Sequence, residues 1–147
     1  RDLKVAAGGI VNTMMIETAG GVNVAKDVKG QWTPVTMEQI AAWDPDVIIL
    51  SNFDSIQPVD LFEDKLEGQN WKNIKAVREG HVYKAPIGLY RWDAPCIETP
   101  LMIKWIAQKL HPDVFDDYRL TDDLHDFYEK FFSYTLTDAD LKMILHE

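Results

Sequence analysis

Cysteine is nearly absent: Cys96 is the one thiol in 147 residues, so neither an internal disulfide nor a cysteine metal cluster can form. Basic charge is scarce too, with 15 Lys and Arg against 24 Asp and Glu and a net charge of −9. Such a surface repels phosphate backbones and anionic headgroups, which disfavours nucleic acid and membrane surfaces as partners. The longest apolar runs, such as residues 47–50, fall far short of the roughly 20 residues that cross a bilayer. The N-terminus has no tripartite signal pattern, but Arg1 is no natural initiator, and the chain is expected to be processed or cut from a longer protein. The four histidines, His81, His111, His125 and His146, show neither HxxxH nor HExxH spacing, so a local signature for metal hydrolysis is missing. Gly8-Gly9 and Gly20-Gly21 lack the order that wraps phosphates and read as turns or helix caps. No metal site and no resident cofactor is expected.

What is present suits one α/β domain over residues 1–147, with 46% hydrophobic residues and no repeat or linker. Residues 47–50 (VIIL) follow Pro45 and Asp46 as a β-branched run, which predicts a strand buried on both faces at the centre of a parallel sheet. Before it, Thr36 and Gln39 have capping-box spacing, and Met37, Ile40, Ala41 and Trp43 continue a helix that Pro45 stops. A strand over residues 3–7 feeds a helix from Asn12 that ends at Gly20 and Gly21. Residues 58–66 read as a helix and 81–85 as a third strand. The last third is helical: a broad apolar helix spans 97–110, and Leu124, Phe127, Tyr128, Phe131 and Phe132 form a packing stripe. Thr137 and Asp140 repeat the cap spacing ahead of Leu141, Ile144 and Leu145.

Residues 88–95 (GLYRWDAP) set aromatic faces, a guanidinium and a carboxylate into one loop after a strand. Ligand crevices of open α/β sheets lie beyond the carboxyl ends of the strands, where this loop belongs. The alternative is that Arg91 pairs with Asp93 or another carboxylate and Trp92 plugs the core. Asp54, Asp60, Glu63 and Asp64 follow the strand at 47–50, the last three at helical spacing, either as a solvated face or as an acidic knob for an arginine pocket on a partner. Cys96 precedes a helix, where a thiol pKa can fall, although an isolated cysteine commonly serves as a small apolar residue.

Several stretches read in order: residues 16–25 (IETAGGVNVA), 32–39 (WTPVTMEQ), 43–50 (WDPDVIIL), 71–83 (WKNIKAVREGHVY) and 90–98 (YRWDAPCIE). Together they resemble the C-terminal lobe of the substrate-binding proteins of ABC importers for iron siderophores, haem and vitamin B12. The ending, FYEKFFSYTLTDADLKMIL, resembles the helical tail of iron-complex members.

The resemblance implies two Rossmann-like, three-layer lobes joined by a long helix, with a mostly parallel sheet in this lobe and the ligand held between the two. Residues 1–147 would be the C-terminal lobe, with the N-terminal lobe, linking helix and export signal outside this sequence, hence half a binding site. The ligand would be an iron chelate, haem or corrinoid, the partner an ABC permease in the membrane, and the location extracytoplasmic. Tyr90, Arg91 and Trp92 would face the ligand, with Trp32 and Phe53 behind them. Glu63, Asp60 or Asp64 would dock the permease, Glu63 first. A small hydroxyl residue is more usual where Cys96 stands. The rival reading is an enzyme or metal-cofactor-processing protein on the same lobe; the lack of a clustered catalytic set favours binding without turnover.

Overall fold

The computed structural model describes residues 3–147. Its elements run β1 (Leu3–Ala6), α1 (Val11–Thr18), β2 (Trp32–Val35), α2 (Met37–Trp43), β3 (Ile48–Leu50), α3 (Pro58–Phe62), α4 (Lys75–Arg78), β4 (Val82–Lys84), α5 (Thr99–Leu110), α6 (Leu120–Phe132) and α7 (Asp138–Leu145). The architecture is α/β with a helical tail. Its strands form two pairs, β1 antiparallel to β2 and β3 parallel to β4.

The short β3–β4 sheet separates two apolar clusters, and the period-two alternation of strand side chains explains how. Ile49 and Tyr83 turn toward one cluster, built around α5 by Leu101, Met102, Trp105 and Ile106, with Met15 of α1, Leu124 of α6 and Ile144 of α7. Ile48, Leu50 and Val82 turn toward the other, built by Val35, Ile40, Leu61, Trp71, Ile74 and Val77. The VIIL run is therefore apolar on both faces because each face meets a different core. It is not central, however: among the described residues β3 pairs with β4 alone, Val47 lies before the strand, and Ile48, Ile49 and Leu50 are half-buried.

Local chemistry sets the helix ends. In α2 the Gln39 N–H donates to Thr36 Oγ1 at 3.2 Å and the Thr36 N–H to Gln39 Oε1 at 2.9 Å, a reciprocal cap worth about 1 kcal/mol. Thr137 and Asp140 repeat it at α7, and the Thr137 N–H bond holds the Asp140 carboxyl below its ordinary range. Helix α1 closes as expected, with Gly20 at φ +84°, a conformation that carries no Cβ penalty in glycine. The helix expected over 58–66 stops at Phe62, because Asp64 takes φ +55° and turns the chain out of the helix. The stripe of α6 buries Leu124 and Tyr128, but Phe131 and Phe132 stay exposed. Strand β2 and helix α4 were not expected: Pro34 inside a four-residue strand and the single turn of α4 leave little periodic signal.

Helices α5 and α6 are clipped together at the surface by Asp123, which accepts from Lys104 Nζ at 2.6 Å and Tyr118 Oη at 2.5 Å. The Lys104 ammonium, then the Tyr118 hydroxyl, hold the Asp123 carboxyl below its ordinary range. The folded state therefore binds that proton less tightly than the unfolded chain, so the contribution is complete above the ordinary carboxylate range and is lost as pH falls through the depressed value. Asp123→Asn should lower stability at neutral pH by about 0.5–1 kcal/mol, the scale of a partly exposed ion pair. In urea titrations the difference from wild type should vanish toward strongly acidic pH.

Candidate functional site

The carboxyl ends of the parallel strands β3 and β4 open into two loops, residues 51–57 and 85–98, and these meet. Lys84, the last residue of β4, is only 6% exposed. Its ammonium donates to the carbonyls of Ser51, Asp54 and Ile56 at 2.7, 2.9 and 2.9 Å. Burial pushes its pKa below the ordinary lysine value, opposed by the nearby Asp54 and Asp93 carboxylates. Three carbonyls on one cation shape the turn that carries Phe53.

Asp93 ties that turn to the second loop. It is 5% exposed, and its Oδ2 accepts from Ser51 Oγ at 2.6 Å and the Asn52 N–H at 3.0 Å. Asn52 Nδ2 donates onward to Ala85 O at 2.8 Å, and Asn12 at the start of α1 donates to the Asp93 carbonyl at 2.9 Å. Within the second loop Ile87 and Arg91 form an antiparallel bridge, and the Trp92 N–H donates to Pro86 O at 3.0 Å. Glu98, fully buried, accepts from the Tyr90 N–H at 3.2 Å and from Tyr128 Oη at 2.6 Å. Burial and then the Glu98 carboxylate raise the Tyr128 pKa, so its hydroxyl stays a donor. A Cβ on Gly88 would overlap Glu98 Oε1, which makes glycine a steric requirement there.

The result is a small aromatic and cationic platform. The Arg91 guanidinium carbon stands 3.5 Å from the Phe53 ring centroid and 5.7 Å from that of Tyr90, a cation–π arrangement. Trp32, the first residue of β2, meets the Phe53 ring edge-on at 5.6 Å. Phe53 and Tyr90 are 62% and 53% exposed, so both offer faces to a bound molecule. Trp92 does not: it is wholly buried in the core around α5. The expectation of a ligand-facing Trp92 is corrected to a core plug.

Five buried side-chain atoms have no hydrogen-bond partner among the described residues: Asn12 Oδ1, Asn52 Oδ1, Arg91 Nε, Trp92 Nε1 and Asp93 Oδ1. All belong to Asp93 itself, to its sequence neighbours, or to residues that bond to it. Such groups call for a partner, whether an ordered water or a bound molecule. Lys84 and Glu98 were not among the sequence candidates, and Asp93 entered only as a charge partner for Arg91, from which the structure places it at 3.9 Å. Their signal was a polar residue beside strongly apolar neighbours, which tells neither burial nor partner.

The acidic residues separate by role. Asp60 caps α3 through the Gln57 N–H at 2.9 Å, and Asp64 accepts from the Trp71 N–H at 3.3 Å with Lys72 Nζ at 3.4 Å. Glu63 contacts the exposed Lys65 ammonium at 2.5 Å, and its own side chain is 55% exposed. Cys96 is a free, half-buried thiol whose backbone N–H caps onto Thr99 Oγ1 at 3.0 Å. Among the described residues no group of three or more His, Cys, Asp or Glu side chains is placed to hold a metal ion, and no helix is long and apolar enough to cross a membrane.

Residues 2–87 match the family profile described as periplasmic binding protein. The chain belongs to that family. Its fold matches the crystal structure of a periplasmic solute binding protein from Veillonella parvula at TM-score 0.94 and 60% identity, covering 99% of this chain and 44% of that one. An ABC transporter solute binding protein from Sulfurospirillum deleyianum matches at TM-score 0.81 and 29% identity, with the same coverages. The molybdate-binding protein MolA of Haemophilus influenzae is 30% identical over 132 residues, 89% of this chain and 36% of MolA. The structure of MolA bound to molybdate superposes at TM-score 0.73 and 29% identity, covering 92% of this chain and 41% of that one. The chain thus spans less than half the length of these relatives.

The two aromatic neighbours in the loop should respond in opposite ways to truncation. Trp92→Ala should lower the unfolding free energy by about 3–5 kcal/mol, the cost of emptying a fully packed indole site. Tyr90→Ala, on the exposed side, should change it by less than about 1 kcal/mol. Urea denaturation followed by far-ultraviolet circular dichroism measures both.

Proposed function

We propose that this chain is the C-terminal lobe of an extracytoplasmic substrate-binding protein of an ABC importer. It binds without chemical turnover and delivers its ligand to a membrane permease. The ligand is a metal chelate, an iron siderophore, haem or corrinoid, held between this lobe and a companion. The observation that carries the reading is the Arg91 guanidinium lying over Phe53, with Trp32 and Tyr90 beside it, at the carboxyl ends of β3 and β4. Broad exposed aromatic faces suit a large, partly apolar ligand, and a guanidinium offers a fixed fork of donors to its oxygen atoms at any physiological pH. Family membership supports the binding role; MolA takes molybdate, a far smaller ligand, and molybdate is therefore the necessary comparison.

Calorimetric titration of the two-lobe protein with a ferric trihydroxamate, haem, cobalamin and molybdate tests this. One chelate should bind, and Arg91→Ala should weaken it by about 1.5–3 kcal/mol, the range for a hydrogen bond to a charged group. Arg91→Lys should recover part of the loss, since it keeps the charge without the planar fork. Binding of molybdate alone, or unchanged chelate affinity in Arg91→Ala, overturns the reading.

Glu63 is the proposed permease contact on this lobe. Asp60 and Asp64 are engaged by the backbone at α3 and Trp71, whereas Glu63 holds one exposed lysine at the surface. Glu63→Lys should reduce ligand uptake by cells carrying the importer about tenfold, through lost charge complementarity, and leave ligand affinity intact. Undiminished uptake in the triple reversal of Asp60, Glu63 and Asp64 returns this face to plain solvation.

A further inference from the structure

We infer that Asp93 is a specificity-determining residue: as a fixed counter-charge to Arg91, it turns the site against compact dianions and toward chelates of low net charge. The inference rests on the proposed ligand-binding role of the Arg91 platform and adds to it a charge preference, for chelates of low net charge.

The Asp93 carboxylate cannot leave. Its side chain is 4% exposed, and Oδ2 is held by the Ser51 hydroxyl and the Asn52 N–H on one side while Asn12 holds its own carbonyl on the other. The second oxygen, Oδ1, stands 3.9 Å from Arg91 Nε, beyond hydrogen-bond distance. Neither atom has another partner. Arg91 is thus paired in charge and unpaired in hydrogen bonding, and what orders its guanidinium is the face of Phe53 at 3.5 Å.

Two consequences follow for an approaching ligand. A compact dianion on the guanidinium also meets the fixed charge of Asp93, whose Oδ1 lies 3.9 Å from Arg91 Nε, so that the two side chains together offer it no net charge. The attraction of Arg91 is largely cancelled for a small, doubly charged ion. A chelate of low net charge loses little by that cancellation, keeps the donors of the guanidinium for its coordinated oxygens, and gains the aromatic faces. Discrimination built on a repulsive element in this manner is a known route to specificity.

The test compares molybdate with a net-neutral ferric trihydroxamate on the two-lobe protein, by calorimetry, in wild type, Asp93→Asn and Ser51→Ala. Wild type should bind the trihydroxamate and discriminate against molybdate. Asp93→Asn keeps the shape of the group and an acceptor for Ser51 and Asn52, and should raise molybdate affinity about tenfold or more while moving the trihydroxamate less than about threefold. Ser51→Ala removes one tether but no charge and should leave the ratio of the two affinities unchanged.

A wild type that binds molybdate at least as tightly as the trihydroxamate overturns the inference, and this result needs no variant to fold. So does an Asp93→Asn protein, its melting checked on the same sample, in which molybdate stays undetectable or both ligands shift alike. A Ser51→Ala protein that reproduces the Asp93→Asn ratio assigns the effect to geometry and also overturns it. Failure of the underlying reading is separately visible, because there Arg91→Ala leaves binding of every chelate unchanged.

Discussion

A buried ammonium has to be surrounded by acceptors, and Lys84 meets that demand in a way that organises everything at the open end of the sheet. Its three hydrogen bonds all go to carbonyls between residues 51 and 56, so the turn after β3 is folded over the end of β4. Leaving such a charge unmatched costs several kcal/mol, and that penalty makes the turn a defined structure. Ser51 and Asn52 are consequently held where both donate to Asp93, and Phe53 projects under Arg91. From one cation on a strand end to the half-buried guanidinium there is a continuous sequence of short contacts.

The same end of the lobe is braced from behind by Glu98. Its carboxylate joins the Tyr90 backbone to the Tyr128 hydroxyl of α6, so the helical tail helps to hold the Arg91 loop. A carboxylate without exposure needs partners on both oxygens, and this one has them, one each from the loop and the tail. The tail is thereby a structural support of the platform as well as a cover for the core around α5. Fold alone does not choose a ligand; in the proposed reading the arrangement of Arg91, Asp93 and the aromatic faces sets the lobe's chemical preference.

Two elements show why the sequence was informative in some places and silent in others. The caps of α2 and α7 are formed by residues three apart in the chain, and both were legible because the partners are local. The VIIL run was legible as a strand between two cores, since β-branched residues without a polar alternate report burial on both faces. Its neighbour across the sheet, β4, was legible too, as the strand expected over residues 81–85, whereas β2 was not: its four residues include a proline and take their conformation from pairing with β1 about thirty residues away. The candidate loop was legible as a cluster of chemistry at a strand end.

By itself, then, the sequence determined the ends of α1, α2 and α7, the apolar two-sided character of β3, the single cysteine and the lack of HxxxH or HExxH spacing, and the loop that gathers aromatic, cationic and anionic residues after β4. These depend on neighbours a few residues apart and on composition. Only the tertiary structure decided that Trp92 plugs the core while Tyr90 stays outside, that Phe53 lies beneath Arg91, and that Asp93, Lys84 and Glu98 are buried. A loop has no period from which to read the direction of a side chain. Burial there is set by elements distant in sequence, Asn12 of α1, Ser51 after β3 and Tyr128 of α6, and their approach is a consequence of packing two apolar clusters on opposite faces of one short sheet.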